Sequence, residues 1–250
     1  VNQDRAGHPL LPELDGAEPV GIWPACAPRV LHVDNHCLAL VKPFNMPVME
    51  DVSGDPDLLE WGRRWVQTVY HKPGRAWLGL LHRLDRPAAG IVLLARTSRA
   101  AARLSGQFRR RSVRKLYRAQ LEGRLAKPEG QLRHFLLKDE ERNTVSVVAP
   151  ETPGALEARL SYRLVDLYTD SRGHWQSEVE VQLETGRPHQ IRVQFAALGH
   201  PLRGDLRYGA GAPLPGGHLA LFSHELQFAH PVGSRRLTLR APLPAGWREP

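Results

Sequence analysis

Strand-type sequence dominates this chain, and that limits the fold more than any other feature. From Arg29 onward, apolar residues recur at every second position or in short unbroken runs. The segments are "RVLHVD", "CLALVKP", "WLGLLHRL", "GIVLLAR", "VRKLYRAQLEG", "LEARLSYRLVDLY", "SEVEVQLETG", "HLALFSHELQFAH" and "RRLTLRAPLP". Asn35-His36 makes a plausible hairpin turn between the first two. Three other segments carry a helical period. In "DPDLLEWGRRWVQTVYH", Leu58, Leu59, Trp61, Trp65 and Val69 fall near helical spacing. "TSRAAARLSGQFRRRS" opens on Thr97 or Ser98, either a good N-cap. "RPHQIRVQFAALG" puts Ile191, Phe195 and Leu198 on one stripe, with Pro188 in the first turn and Gly199 at the end. Few strands are separated by a crossover helix, so we expect an α+β fold with a mixed, mostly antiparallel sheet rather than a doubly wound one.

The 250 residues suffice for one large domain or two small ones, and at 42% hydrophobic they can bury a sizeable core. Residues 1–28, rich in Pro, Gly and polar groups, read as an irregular arm, and residues 29–250 as the working domain. The formal charge of +8 and pI near 10.0 favour a polyanionic partner such as nucleic acid. Two cysteines, Cys26 and Cys37, form no CxxC pattern, which argues against a disulfide framework or Cys-based zinc site and fits a reducing cytoplasm. His218, His224 and His230 match no zinc spacing. No apolar run approaches the ~20 residues that span a bilayer. GxxxxGK[ST], GxGxxG and GxSxG are absent, so nucleotide-triphosphate, dinucleotide and hydrolase-elbow readings lack support.

Three constellations carry chemistry. Asp85 lies in "LHRLDRPAAGIVLLART" between Arg83 and Arg86, and nearby positive charge should keep it ionised. That suits a nucleophile or electrostatic partner; a turn Asp in a surface ion-pair cluster is the plainer alternative. In "ETGRPHQIRVQFAALGHPLRGDLRYG", His189 and Arg192 are a helical turn apart, and a guanidinium so held can pair with a carboxylate or phosphate. In "FRRRSVRKLYRAQLEG", Arg109, Arg110, Arg111, Arg114 and Lys115 precede Tyr117 on a strand. This cluster is either an RNA-backbone contact or a solvated charge run.

Taken in order, these segments resemble the RluA-type family of RNA pseudouridine synthases. The family's HRLD stands as His82-Arg83-Leu84-Asp85, its Lys-x-Tyr-x-Ala as Lys115-Leu116-Tyr117-Arg118-Ala119, and its third motif as Thr185-Gly186-Arg187-Pro188-His189-Gln190-Ile191-Arg192-Val193. "LALVKPFNMPV" is similar to its opening strand and Lys-Pro turn, and the likeness runs from about Leu31 to Leu243. The chain departs from the family at Ala88-Ala89, where Thr-Ser is frequent, at Pro188, where Thr is frequent, and at Gln194, where His is usual.

The resemblance implies a long, bent mixed sheet with flanking helices and a central cleft; the N-terminal S4 domain frequent in the family is not expected, since about thirty residues precede the core. It implies catalysis by Asp85, oriented by Arg192, with Tyr117 stacking on the target uracil and helping to remove the C5 proton. Whether the carboxylate attacks C1′ or removes the C2′ proton stays open. Arg83 would fill or stabilise the gap left in the RNA. Arg83, Leu84, Lys115, Arg187, His189, Gln190 and Ile191 are candidates for substrate binding. No metal or organic cofactor is implied. The expected partner is a stem-loop of ribosomal or transfer RNA, and the expected state a cytoplasmic monomer without membrane contact. The competing readings are an inactive RNA-binding protein of the same fold and a glycoside hydrolase, which would need a second, properly spaced carboxylate.

Overall fold

A computed structural model describes residues 27–71, 73–233 and 235–247. The arm expected over residues 1–28 lies, but for its last two residues, outside the described residues, as does Cys26. Strands β1 (Arg29–Val33) and β2 (Cys37–Lys42) form an antiparallel hairpin. Its turn is closed by Asp34, whose carboxylate accepts from the backbone N–H groups of His36 and Cys37 at 2.7 and 2.8 Å. Helix α1 (Leu58–Val69) starts at Asp57, which accepts from the Glu60 N–H. Strand β3 (Gly79–Leu80), strand β4 (Ala89–Ala95) and helix α2 (Ser98–Arg109), capped by Thr97, follow. Then come β5 (Arg114–Glu122), β6 (Glu129–Asp139), β7 (Thr144–Val148), β8 (Leu156–Thr169) and β9 (Trp175–Leu183). Helix α3 (Gln190–Ala197), β10 (Leu221–Ala229) and β11 (Arg236–Arg240) complete the described chain.

The strands build one mixed 11-stranded sheet in the order β1-β2-β4-β10-β5-β9-β8-β6-β7, with β11 beside β10 and β3 beside β4. Every pairing is antiparallel except β4 with β10, which meet only through Ala89–Phe222 and Gly90–Ser223. That brief parallel seam joins the two halves of the sheet. It demands glycine: Gly90 has φ +117°, and a Cβ there would lie 2.4 Å from the Ser223 N and O atoms.

β2 and β4 are buried throughout, which explains their unbroken apolar runs. Ala39, Val41, Ile91 and Leu93 pack with α2, whereas Leu38, Leu40, Val92 and Leu94 pack with α1. Beyond the seam, Ile191 and Phe195 of α3 pack on Ala119, Leu121, Leu160 and Val179.

Three sequence expectations change. Of "WLGLLHRL" only Gly79–Leu80 is strand, because His82 Nε2 accepts the Leu93 N–H at 3.0 Å and a side chain replaces the strand carbonyl. The β6–β7 hairpin was not anticipated; charged and polar residues fill its exposed positions and mask the alternation. Helix α3 starts at Gln190, after His189 in a left-handed conformation (φ 48°), so Pro188 precedes the helix. Leu198 caps α3 at 44% exposure and leaves the buried stripe.

Candidate active site

The loop before the seam presents Asp85. Its carbonyl accepts from the Ala88 N–H at 3.0 Å, closing a turn that sets the carboxylate beside α3. Arg192 Nη1 donates to Asp85 Oδ2 at 3.1 Å. The same guanidinium donates from Nε and Nη2 to the two oxygens of Asp205, at 2.7 and 2.8 Å. Asp205 is 1% exposed, the Arg192 side chain 6% and the Asp85 side chain 26%. Two carboxylates thus share one cation, and only Asp85 remains open to solvent. Burial opposes the charge on Arg192, but the Asp205 hydrogen bonds and both carboxylates outweigh it and hold its pKa above the ordinary value.

The arginines flanking Asp85 in sequence do not hold it. Arg83 is exposed. Arg86 turns to the loop after β2, donating to Asn45 O at 3.1 Å and Ser53 Oγ at 2.9 Å and pairing with Asp51 and Asp55. Asp85's charge partner comes from α3, 107 positions along the chain.

Tyr117 projects from β5, buried among Ala88, Val181 and Ile191. Burial pushes its phenol up to about 12, the Ser223 hydrogen bond works against that rise, and the Asp85 charge adds to it. Beneath the Asp85 turn lies Lys42, fully buried, with Nζ donating to the carbonyls of Pro43, Met46 and Arg86 at 3.0, 2.8 and 3.0 Å. Desolvation brings Lys42 down to about 7, against the pull of the Asp85 charge. His82 stacks on Phe108, and burial, then the Lys115 charge, pushes it down to about 3. A neutral ring is what lets its nitrogen accept from Leu93.

Of the expected substrate contacts, Leu84 packs half-buried against the Tyr117 cluster. Lys115 is half-buried, and burial and the Arg111 charge lower its pKa. His189 Nδ1 lies 2.7 Å from the Tyr208 hydroxyl, which accepts the Val145 N–H at 2.9 Å; the Tyr208 ring also underlies the Arg192 guanidinium. Gln190 and Ile191 are only 3% and 4% exposed. Gln190 accepts from Thr185 Oγ1 and the Arg187 N–H and donates to Arg159 O. Gln190 is thus held within the loop by its own hydrogen bonds, and Ile191 packs in the cluster that holds Tyr117. Arg187 donates to Glu157 O at 2.9 Å. Gln194, standing where the family usually has His, is fully buried and donates toward Leu132 O, Ala158 O and His134 of the neighbouring strands.

The basic residues at the end of α2 and after it spread over three settings. Arg109 and Arg110 line a groove with Ala229 and Pro231, Arg111 lies near Lys115, and Arg114 donates to Gln182 Oε1 at 2.8 Å. The sequence reading missed Asp205, Lys42, Tyr208 and Ser223 as site residues. Gly204-Asp205 follows the third motif within the family likeness, but no pattern in the sequence assigned Asp205 a role.

Residues 36–197 match the model of the RNA pseudouridylate synthase family. Two Bacillus subtilis proteins described as uncharacterized RNA pseudouridine synthases, YhcT and YjbO, are 31% and 33% identical, over 86% and 91% of this chain and 68% and 75% of theirs. The ribosomal large subunit pseudouridine synthase D of Vibrio parahaemolyticus is 29% identical over 86% of this chain and 67% of its own. The solved structure of human RNA pseudouridylate synthase domain containing 4 shares the fold, with a TM-score of 0.71 at 22% identity over 87% of this chain and 89% of that one. With its HRLD turn, its strand tyrosine and its helix arginine set around one seam, the chain belongs to the RluA-type family of RNA pseudouridine synthases.

Proposed function

We propose that Asp85 is the carboxylate that acts on the ribose of a flipped-out uridine, that Arg192 orients it, and that Tyr117 stacks on the detached uracil. The observation that carries this reading is the guanidinium shared by Asp85 and Asp205. A fixed cation sets the direction of the Asp85 oxygen lone pairs while leaving one face of the carboxylate open. In the reaction the C1′–N1 bond breaks and a C1′–C5 bond forms. C5 loses a proton and N1 gains one, so no electrons leave the substrate. Reaching C1′ and C5 requires extruding the base, at a cost of a few kcal/mol of unstacking, which favours loops and bulges. Tyr117 keeps its proton at neutral pH, so it takes the C5 proton only as its own O–H proton leaves for solvent, while N1 of the uracil takes one up from solvent.

The substrate class is ribosomal RNA, as the name of the Vibrio relative suggests, in preference to transfer RNA. The protein acts as a cytoplasmic monomer, in keeping with its buried free thiol at Cys37. Pseudouridine mapping of total RNA by carbodiimide adducts, with and without the gene, tests the assignment. Loss of defined sites in large-subunit RNA is expected. An unchanged ribosomal map, or sites lost only from transfer RNA, contradicts the substrate class.

A further inference from the structure

At the far end of β4 from Asp85 lies a cluster that the reaction does not use. β4 pairs Gly90 with Lys42 beside the seam and Ala95 with Cys37 at its other end, roughly 17 Å away at the rise of a strand. There, ligand atoms of Asp34, Cys37 and His230 all lie within 4.8 Å of one another. His32 Nε2 lies 2.9 Å and His230 Nε2 3.1 Å from the same oxygen, Asp34 Oδ2. We propose that Asp34, Cys37 and His230, with His32 as the nearest fourth donor, bind a borderline-soft divalent cation of the zinc class.

Three features support the assignment. The donor set is two imidazoles, a carboxylate and a thiol, the nitrogen, oxygen and sulfur ligands that zinc takes in a tetrahedral site. The groups behind the donors are in place. Asp34 Oδ1 is occupied by two backbone N–H groups, which leaves Oδ2 to face the cluster. His230 Nδ1 lies 2.5 Å from Val232 O and 3.1 Å from Val232 N, so the Val232 backbone holds the ring by its Nδ1 edge while Nε2 faces the Asp34 carboxylate at 3.1 Å. A ring N–H on a backbone carbonyl is also the usual outer support of a metal-bound histidine. Finally, an ion has a way in: Asp34 and His32 side chains are 26% and 22% exposed, although Cys37 is fully buried.

Binding forms a metal–sulfur bond and releases the Cys37 proton to solvent; no oxidant is involved. The ion would clip the β1–β2 turn to the end of β10. The test uses the full chain freed of metal by chelation and titrated with Co(II), then Zn(II). One equivalent of Co(II) should give a thiolate-to-cobalt charge-transfer band that zinc displaces, and zinc should raise Tm. Cys37→Ser should abolish the band, whereas Cys26→Ser should keep it. His230→Gln, should Cys37→Ser fold poorly, should weaken zinc binding by about tenfold or more. Tritium release from uridine-labelled RNA should not respond to zinc. The proposal is overturned if no saturable one-to-one binding occurs, if the band survives Cys37→Ser, or if NMR shows His230 as a protonated imidazolium paired with Asp34 in a chain indifferent to zinc.

Discussion

Replacing Asp205 by asparagine probes the least accessible part of the site. The amide keeps the shape but turns an N–H2 group toward donors on Arg192 that now meet carboxylate oxygens at 2.7 and 2.8 Å. Removing one partner of a buried ion pair costs about 3–5 kcal/mol. In a domain of this size each kcal/mol moves Tm by about 2–4 °C, so the variant should melt roughly 6–20 °C lower. Arg192 would be left with Asp85 as its only anion and lose the fork that aims it. A misplacement near 1 Å costs about 100-fold in rate, so kcat on saturating RNA, read by tritium release from C5-labelled uridine well below the new Tm, should fall by about that factor. Arg192→Lys should do the same to kcat, because a point charge cannot span both carboxylates. An Asp205→Asn protein with Tm within about 2 °C of wild type and an unchanged kcat would refute the idea that Asp205 holds Arg192 in place.

Tyr117→Phe keeps the ring and removes the hydroxyl that meets Ser223; RNA affinity should hold while single-turnover tritium release slows, and a wild-type rate would eliminate proton transfer and leave stacking. Gly90→Ala, at φ +117°, places a Cβ 2.4 Å from Ser223 backbone atoms, whereas Gly209→Ala, at φ +97°, meets nothing within 4 Å. Gly90→Ala should therefore lower Tm far more than Gly209→Ala, and equal losses would dismiss the close approach as the reason for the glycine. His82 is pushed down to about 3 by burial from an ordinary 6.5. Between those values the folded chain binds fewer protons than the unfolded one, so stability rises with pH there and is lost on acidification, by up to about 1.4 kcal/mol per pH unit. His82→Gln should flatten that slope in urea melts taken across this range, and an identical slope would remove His82 as its source.

Much of this was legible from local pattern, because it depends on local pattern. Asp57 and Thr97 announce their helices by capping them, and the unbroken runs of β2 and β4 announce strands covered on both faces. Asp85, Tyr117 and Arg192 could be named because each lies in a motif. The pairing of Arg192 with Asp85 followed from the family resemblance; the Asp205 fork on the same guanidinium and the partners of Arg86 did not, because pairing across the fold leaves no mark in a neighbouring residue. Arg83 and Arg86 were the obvious partners for Asp85, yet Arg86 serves Asp51 and Asp55 while a residue from α3 takes the role. Lys42 is legible only as the Lys of a Lys-Pro turn, since nothing nearby in sequence reveals the three carbonyls gathered around its ammonium. The break at His82 and the late start of α3 likewise rest on single hydrogen bonds and one left-handed residue, which periodicity does not register.

Asp85→Asn is the most direct test of the central claim. The amide is nearly isosteric, can still accept from Arg192 through its oxygen, and can neither attack nor take a proton. Circular dichroism, Tm and RNA affinity should stay close to wild type. Tritium release from C5-labelled uridine RNA, followed over many turnovers with enzyme saturated, should fall to background. If Asp85→Asn retains more than a small fraction of wild-type turnover, Asp85 is not the catalytic carboxylate and the account of this site is wrong.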